Sequence, residues 1–216
     1  MKRPKADVVL AGKTYIRLSC VSALPFVNGG GFNMRAKERI CFRGISEQYK
    51  YDITSSSPFV HRRIVFSQHH LIGNGGILLD ESGGRGRTAA VVEEDAPLMD
   101  IRNIFGLRGE LNLVDSFVAK VDKKLCTVHS DIVLPINAIG KGHVKMNRWW
   151  TSMRKDIVYR DNGGAGTGQA VSDTSPLGNV YVIDIFKNMA EANGPKDDPL
   201  TDAVSISSEV VVYWSE

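Results

Sequence analysis

The sequence predicts an all-β protein that folds as a single antiparallel domain. Three observations lead to this prediction: apolar and polar residues alternate with a period of two in many segments, helical periodicity is scarce, and glycine-rich turn sequences separate the segments. The chain has 216 residues, of which 43% are hydrophobic and 24% are charged, and this suits one domain with its own core. About eight to ten strands with long connections are typical of a β-sandwich or barrel. We therefore expect a single eight-stranded antiparallel jelly roll with long loops and short helical turns.

The alternation also assigns side chains to faces of the predicted strands. In the segment 48–53 the side chains of Tyr49 and Tyr51 fall on one face, and in the segment 60–66 those of Arg62 and Arg63 fall on opposite faces. The predicted strands are Val8–Val21, Arg39–Ile45, Gln48–Ile53, Val60–Phe66, Val114–Val121, Leu125–Leu134, Gly142–Trp150, Asp156–Tyr159, Asn179–Phe186 and Val204–Trp214. Short helical turns are predicted at Pro97–Leu107 and Phe186–Ala192.

The formal net charge of +3 conceals alternating blocks of charge. Residues 1–63 carry twelve Lys and Arg against four acids, and residues 116–160 carry nine against three. Residues 64–115 carry four against eight, and residues 161–216 carry two against nine. This alternation predicts one basic and one acidic face, although four solvated patches without a function would give the same pattern. We treat 1–216 as one domain in which 1–13 form a short basic N-terminal lead-in.

Sequence motifs of catalysis and cofactor binding are incomplete in this chain. The segment Gly163–Gly168 lacks the Gly-Lys-Ser/Thr ending of a phosphate-binding loop. Cys126 and His129 have a spacing that places them on opposite faces of a strand, and no second pair of ligands accompanies them. His61, His69 and His70 have no Cys or carboxylate at ligand spacing beside them. We therefore expect no catalytic activity, no metal and no cofactor.

The cysteines and the N-terminal residues indicate the cellular compartment of the protein. Cys20, Cys41 and Cys126 are few and widely spaced, which favours small buried side chains in a reducing, non-secretory compartment. No apolar run is long enough for a transmembrane helix, and the basic start of the chain is not followed by the apolar core of a signal peptide. We therefore expect no membrane partner.

Basic residues beside aromatic ones predict a surface for single-stranded nucleic acid. Cations hold phosphates and aromatic rings stack on bases, which is the chemistry that the stretch 141–155 offers. A pair of tryptophans on a strand normally has one ring in the core, so a structural role competes with stacking. The candidate nucleic-acid-binding residues are Lys2, Arg3, Lys5, Lys13, Arg17, Arg62, Arg63, Arg148 and Trp149.

Several short motifs occur in the order found in one family of coat proteins. They are Phe42–Ile45, His61–Phe66, Arg148–Trp150, Lys155–Tyr159, Asn179–Phe186 and Val212–Trp214. In these motifs the chain resembles the capsid proteins of genomoviruses, which are small circular single-stranded DNA viruses, and more distantly those of geminiviruses. The resemblance extends over most of residues 39–216.

The resemblance implies a jelly-roll capsid protein whose copies assemble into a small T=1 icosahedral shell around single-stranded DNA. The implied partners are other copies of the chain and the DNA genome, and the implied location is the virion, with the host nucleus or cytoplasm during assembly. Such coat proteins begin with a long Arg-rich arm, whereas this sequence offers Lys2, Arg3 and Lys5. Either an arm is missing from this chain or the surface of the domain neutralises the DNA.

Two other functions remain open from the sequence. One is a nucleic-acid-binding module of the same fold that forms no shell. The other is a jelly-roll domain that binds a sugar or another small molecule in a pocket lined by aromatic residues.

Overall fold

Two antiparallel β-sheets make up the described part of the chain. The computed structural model describes residues 7–9, 14–24, 35–53, 58–69, 90–92, 119–136, 143–159, 171, 174–188 and 204–216. These residues contain nine strands and no helix. The prediction of an all-β antiparallel protein is therefore confirmed for the described residues.

The strands follow one another along the chain with bounds close to the predicted ones. They are β1 (Asp7–Val9), β2 (Thr14–Cys20), β3 (Arg39–Ile53), β4 (Phe59–Gln68), β5 (Ala90–Val92), β6 (Thr127–Ile136), β7 (His143–Val158), β8 (Asn179–Asn188) and β9 (Val204–Ser215).

The order of the strands in each sheet differs from their order along the chain. Sheet A has the order β1-β9-β3-β7, and sheet B has the order β5-β2-β8-β4-β6. From β1 to β4 and again from β6 to β9, consecutive strands alternate between the two sheets. The strand pairs are therefore mostly between segments that are distant in sequence, such as β1 with β9.

The core lies between the two sheets. One buried cluster combines Ile45 of β3 and Ile157 of β7 with Val182 of β8, and another combines Tyr51 of β3 with Phe186 of β8. Each of these clusters takes residues from both sheets, so the two sheets pack face to face in a β-sandwich-like arrangement.

Sheet B is also covered on its other face. A third cluster contains Ile64, Phe66 and Ile183 together with Val121 and Cys126, which precede β6. Nearly every residue of β4 is consequently buried, whichever face it points to.

Two strands of the structure, β3 and β7, each combine two segments that were predicted as separate strands. The predicted segments 39–45 and 48–53 belong to β3, which contains a bulge between Phe42 and Gly44. The segments 142–150 and 156–159 lie on the single strand β7, which ends at Val158. In β3 the pattern breaks after Ile45 because the buried position 47 is a glutamate. In β7 the register shift falls between Ser152 and Lys155, within the stretch that separates the two predicted segments.

Other sequence predictions differ from the structure. The helical turn predicted at 186–192 is wrong at its start, because Phe186 to Asn188 continue β8 and pair with β4. Residues 119–121, predicted to end a strand, lie outside any strand, and β5 was not predicted. The turn predicted at 97–107 lies outside the described residues.

Candidate interaction surfaces and a buried polar cluster

A cluster of charged and polar side chains lies between the two sheets, with Asp184 of β8 at its centre. Arg17 of β2 donates to Asp184 Oδ2 from Nε (3.1 Å) and from Nη2 (2.6 Å). The Tyr49 hydroxyl lies 2.8 Å from Asp184 Oδ1, and His61 Nε2 lies 2.9 Å from the same oxygen. Arg17 Nη1 also donates to Ser208 Oγ on β9, at 2.7 Å. The cluster therefore connects side chains of both sheets.

The partners of His61 determine which of its ring nitrogens carries the proton. An ionised carboxylate only accepts hydrogen bonds, so Nε2 is the protonated nitrogen and donates to Asp184. Nδ1 then accepts a hydrogen bond from the Tyr51 hydroxyl at 2.7 Å. Neutral His61 thus satisfies both neighbours at once.

A second ion pair lies beside the first. Arg63 of β4 pairs with Glu47 of β3, and its Nη2 also donates to Thr151 Oγ1 of β7 at 3.1 Å. The Tyr49 hydroxyl lies 3.0 Å from Glu47 Oε1, which links the two pairs. Two arginines and two carboxylates balance each other in this interior, as buried charges require.

Burial and charge act in opposite directions on the pKa values of the cluster. Burial alone raises the pKa of Asp184, but the charge of Arg17 and the hydrogen bonds from His61 and Arg17 outweigh it, so this pKa lies below its usual range. Burial lowers the pKa of His61, although Asp184 opposes the shift. Burial lowers the pKa of Arg63 to about 10. At neutral pH Asp184 and Arg63 are therefore charged and His61 is neutral.

The burial of this cluster favours a structural role. The side chains of Arg17, Arg63 and Asp184 are between 1% and 8% exposed. Their hydrogen-bonding groups are directed at one another across the interior. What the arrangement can do is hold β2, β3, β4 and β8 in one register, because a shift of any strand would separate a charge from its partner.

Arg62 lies on the opposite face of β4 from Arg63, as the alternation predicts. It donates to Asp131 of β6 at 3.0 and 2.7 Å and to the carbonyl oxygen of Ala119 at 2.8 Å. This places Arg62 on the outer face of sheet B, where it attaches the segment before β6 to the sheet.

Arg148, Trp149 and Trp150 are divided between the two faces of β7. Trp149 points inward and packs edge-on against Tyr49, with ring centroids 5.1 Å apart. Arg148 and Trp150 point outward, and Trp150 is 56% exposed. Trp149 is the tryptophan that was predicted to bind nucleic acid. Only the structure shows that Val144, Met146 and Trp150 share an exposed face, because apolar residues that alternate with polar ones normally mark the buried face of a strand.

The predicted basic residues do not share one face in the described part of the chain. Arg17 and Arg63 lie in the interior, Arg62 lies on the outer face of sheet B, and Arg148 lies on the outer face of sheet A. The expectation of a single basic face is not met by these residues. Lys2, Arg3, Lys5 and Lys13 lie outside the described residues.

The described residues contain neither a candidate metal centre nor a membrane-spanning helix. Among the described residues, no group of three or more His, Cys, Asp or Glu side chains is placed to hold a metal ion. Cys126 packs beneath sheet B, while His129 is hydrogen-bonded to the Ser67 hydroxyl. Within those ranges no helix has the length and apolar character to cross a bilayer. His70 and Gly163–Gly168 lie outside the described residues.

The cysteines have no covalent partner. Cys20 and Cys41 are half-buried, Cys126 is buried, and all three are free thiols. Burial, with a smaller contribution from Asp122, raises the pKa of Cys126 to about 11, so this thiol is protonated at neutral pH.

No protein-family model matches the chain, and no curated protein matches it.

Proposed function

We propose that the chain is a capsid protein of jelly-roll fold that assembles into a small shell and encloses single-stranded DNA. The observation that carries the proposal is the pairing of the strands. β1 pairs with β9, β2 with β8, β3 with β7 and β4 with β6.

This nested pairing supports the jelly-roll part of the proposal. A jelly roll is a long antiparallel ribbon of eight strands wrapped so that the first strand meets the last, the second meets the one before it, and so on. The short β5, at the edge of sheet B beside β2, is then an addition within the long connection between β4 and β6. Viral capsid domains are a major group built on this fold, although lectins and cupins share it.

The resemblance of the sequence motifs to genomovirus coat proteins separates the capsid from these other groups. Those motifs fall on β3, β4, β7, β8 and β9, which are five of the six strands with ten or more residues among the described strands. On the proposal, basic residues of the N-terminal segment and exposed cations neutralise the DNA. Arg17, Arg62 and Arg63 serve the fold, since carboxylates already neutralise them.

Electron microscopy and light scattering on the purified full chain test this function. We expect particles far larger than the 23.7 kDa subunit, and single-stranded DNA that resists nuclease when the chain is assembled in its presence. A protein that stays monomeric across a range of salt concentration and pH contradicts the proposal.

A module that binds nucleic acid without a shell is the second candidate, and the basic-aromatic stretch in β7 favours it. It predicts a monomer that binds short oligonucleotides, with log K falling against log salt concentration by about 0.7 per phosphate contact. Titrating labelled oligonucleotides at several salt concentrations distinguishes the two candidates.

A further inference from the structure

The outer face of sheet A carries large apolar side chains in solvent. Met146 is 57% exposed, Trp150 56%, Val144 48%, Tyr213 47% and Val211 41%. All five lie on β7 or β9, the strands on either side of β3. Apolar side chains gathered on one face in this way mark an interaction surface more often than chance exposure does.

Strand register arranges this face in rows that run across β7, β3 and β9. One row is Trp150, Ser46 and Val211. The row beside it is Arg148, Gln48 and Glu209, in the same strand order. Each row therefore spans two strand spacings, about 10 Å.

The aromatic part of the face is already ordered in the single chain. Trp150 and Tyr213 meet edge to face with their ring centroids 5.2 Å apart, on either side of Gly44. A Cβ atom at Gly44 would lie 3.0 Å from Trp150 Cζ2, so the glycine leaves space for the ring. Trp, Tyr, Met and Arg are the residue types enriched in the centres of protein interfaces, and ordered anchors lose less entropy on binding.

The charges of the face indicate which partner fits it. Lys50 is paired with Asp52, and Arg39 with Asp156, within the face. Arg43 is exposed and donates to Ser215 Oγ of β9 at 3.1 Å, which adds a positive charge beside Tyr213. Arg148 and Glu209 are a positive and a negative charge at the two ends of one row.

We infer that the outer face of sheet A binds a second copy of this chain through a two-fold axis parallel to β3. Such an axis places β7 of one copy over β9 of the other, so that Arg148 faces the partner's Glu209 and Trp150 faces the partner's Val211, each contact occurring twice. An axis that crosses the strands at this row would instead place Arg148 over its own counterpart, which like charges oppose. The face is thus self-complementary in the way that an isologous interface requires. This pairing goes beyond the proposed function, because two chains can form it without a shell.

Charge reversal at the two ends of the row tests the inference. In a dimer of identical chains, either substitution alone, Arg148→Glu or Glu209→Arg, places like charges opposite one another at both of the symmetry-related contacts. Sedimentation velocity should show that the wild-type chain associates and that each variant alone associates about tenfold more weakly or worse. An equimolar mixture of the two variants restores opposite charges at both contacts, so it should associate like the wild type.

Matched variants exclude a general effect of charge or of folding. Lys124→Glu reverses an exposed charge in the turn before β6 and should leave association unchanged. Trp150→Ser should weaken association, whereas Leu125→Ser, at an exposed apolar residue of the same turn, should not. Circular dichroism on each variant confirms that it folds.

The outcomes separate this inference from the proposed function. If Arg148→Glu and Glu209→Arg each associate in pairs as tightly as the wild type, the inference is overturned, and shells that still form leave the capsid proposal standing. If pairing responds to the charge reversals as expected but the wild-type chain never forms shells, the inference stands and the capsid proposal is overturned. A monomer whose tryptophan fluorescence is quenched by oligo-dT, with the quenching lost in Trp150→Ser, overturns the inference in favour of a nucleic-acid surface.

Discussion

Asp184 carries a negative charge into the interior between the sheets, where Arg17, Tyr49 and His61 surround it. Replacing it by Asn keeps the shape but leaves the charge of Arg17 without its carboxylate. Removing one partner of a buried ion pair typically destabilises a protein by about 3–5 kcal/mol. We expect Asp184→Asn to lower the free energy of unfolding by that amount, as measured by urea denaturation.

Asp156 offers the matched control for this prediction. It pairs with Arg39 at 2.6 Å, a distance equal to that between Arg17 and Asp184, but the side chains of Arg39 and Asp156 are 69% and 34% exposed. Solvent screens such a pair, so Asp156→Asn should cost less than about 1 kcal/mol. Equal losses in the two variants would show that burial is not what makes the Asp184 pair important.

His61 makes the stability of the fold depend on pH. Burial lowers its pKa in the folded chain, so below the usual pKa of about 6.5 the unfolded chain takes up a proton that the folded chain resists. The contribution of His61 to the free energy of unfolding is therefore expected to be fully present above this pH and to be lost progressively as the pH falls below it. The slope for one proton is at most about 1.4 kcal/mol per pH unit.

Urea denaturation between pH 7.5 and 5.0 measures this effect. Burial also lowers the pKa of His129, so the experiment is best made in the His129→Gln background, where the His61 contribution remains. A stability that does not change between pH 7.5 and 5.5 in that variant would be incompatible with a buried neutral His61.

At the scale of the element, β3 shows how one residue lets a long strand continue. Gly44 lies at the bulge with φ of 152°, a conformation that residues with a Cβ rarely adopt. A Cβ there would approach the carbonyl oxygen of Thr151 to 2.3 Å, a contact with backbone that cannot move aside easily.

We expect Gly44→Ala to destabilise the fold by about 1–3 kcal/mol, because strain of the backbone is added to the clash. Thermal unfolding measures the change. Ser46→Ala, two residues further along β3, is the control and should have an effect within about 0.5 kcal/mol. The same loss in both variants would mean that the bulge tolerates a side chain.

At the scale of the whole molecule, the strand pairs join segments far apart in the chain. β1 and β9 lie near opposite ends of the sequence, and Arg17 and Asp184 are 167 residues apart. Such pairing makes folding slow, because distant segments must meet before they gain stability. It also brings the exposed apolar face of sheet A together from β3, β7 and β9, so this surface exists only once both halves of the chain have folded.

Period-two alternation was sufficient to predict an all-β antiparallel protein, most of the strands, and the opposite orientations of Arg62 and Arg63. Alternation is local, and a strand with two different faces shows it directly in the sequence. The alternation does not show which face of a strand is interior. For this reason the sequence alone could not predict which of Trp149 and Trp150 is exposed. For the same reason it could not foresee that β4 is buried on both faces.

The surroundings of the basic residues depend on contacts between distant parts of the chain. Arg17 and Arg63 read as candidates for nucleic acid in the sequence, and their carboxylate partners, Asp184 and Glu47, lie on other strands. The pairing of an arginine with a carboxylate far away in the chain cannot be recognised from the neighbouring residues, since each of the two looks like an ordinary charged residue on a strand. Most strands, and the alternation of their side chains between two faces, could be predicted from the sequence because they follow from neighbouring residues. The pairing order, the buried ion pairs and the exposed face of sheet A depend on contacts between distant residues, which only the folded chain brings together.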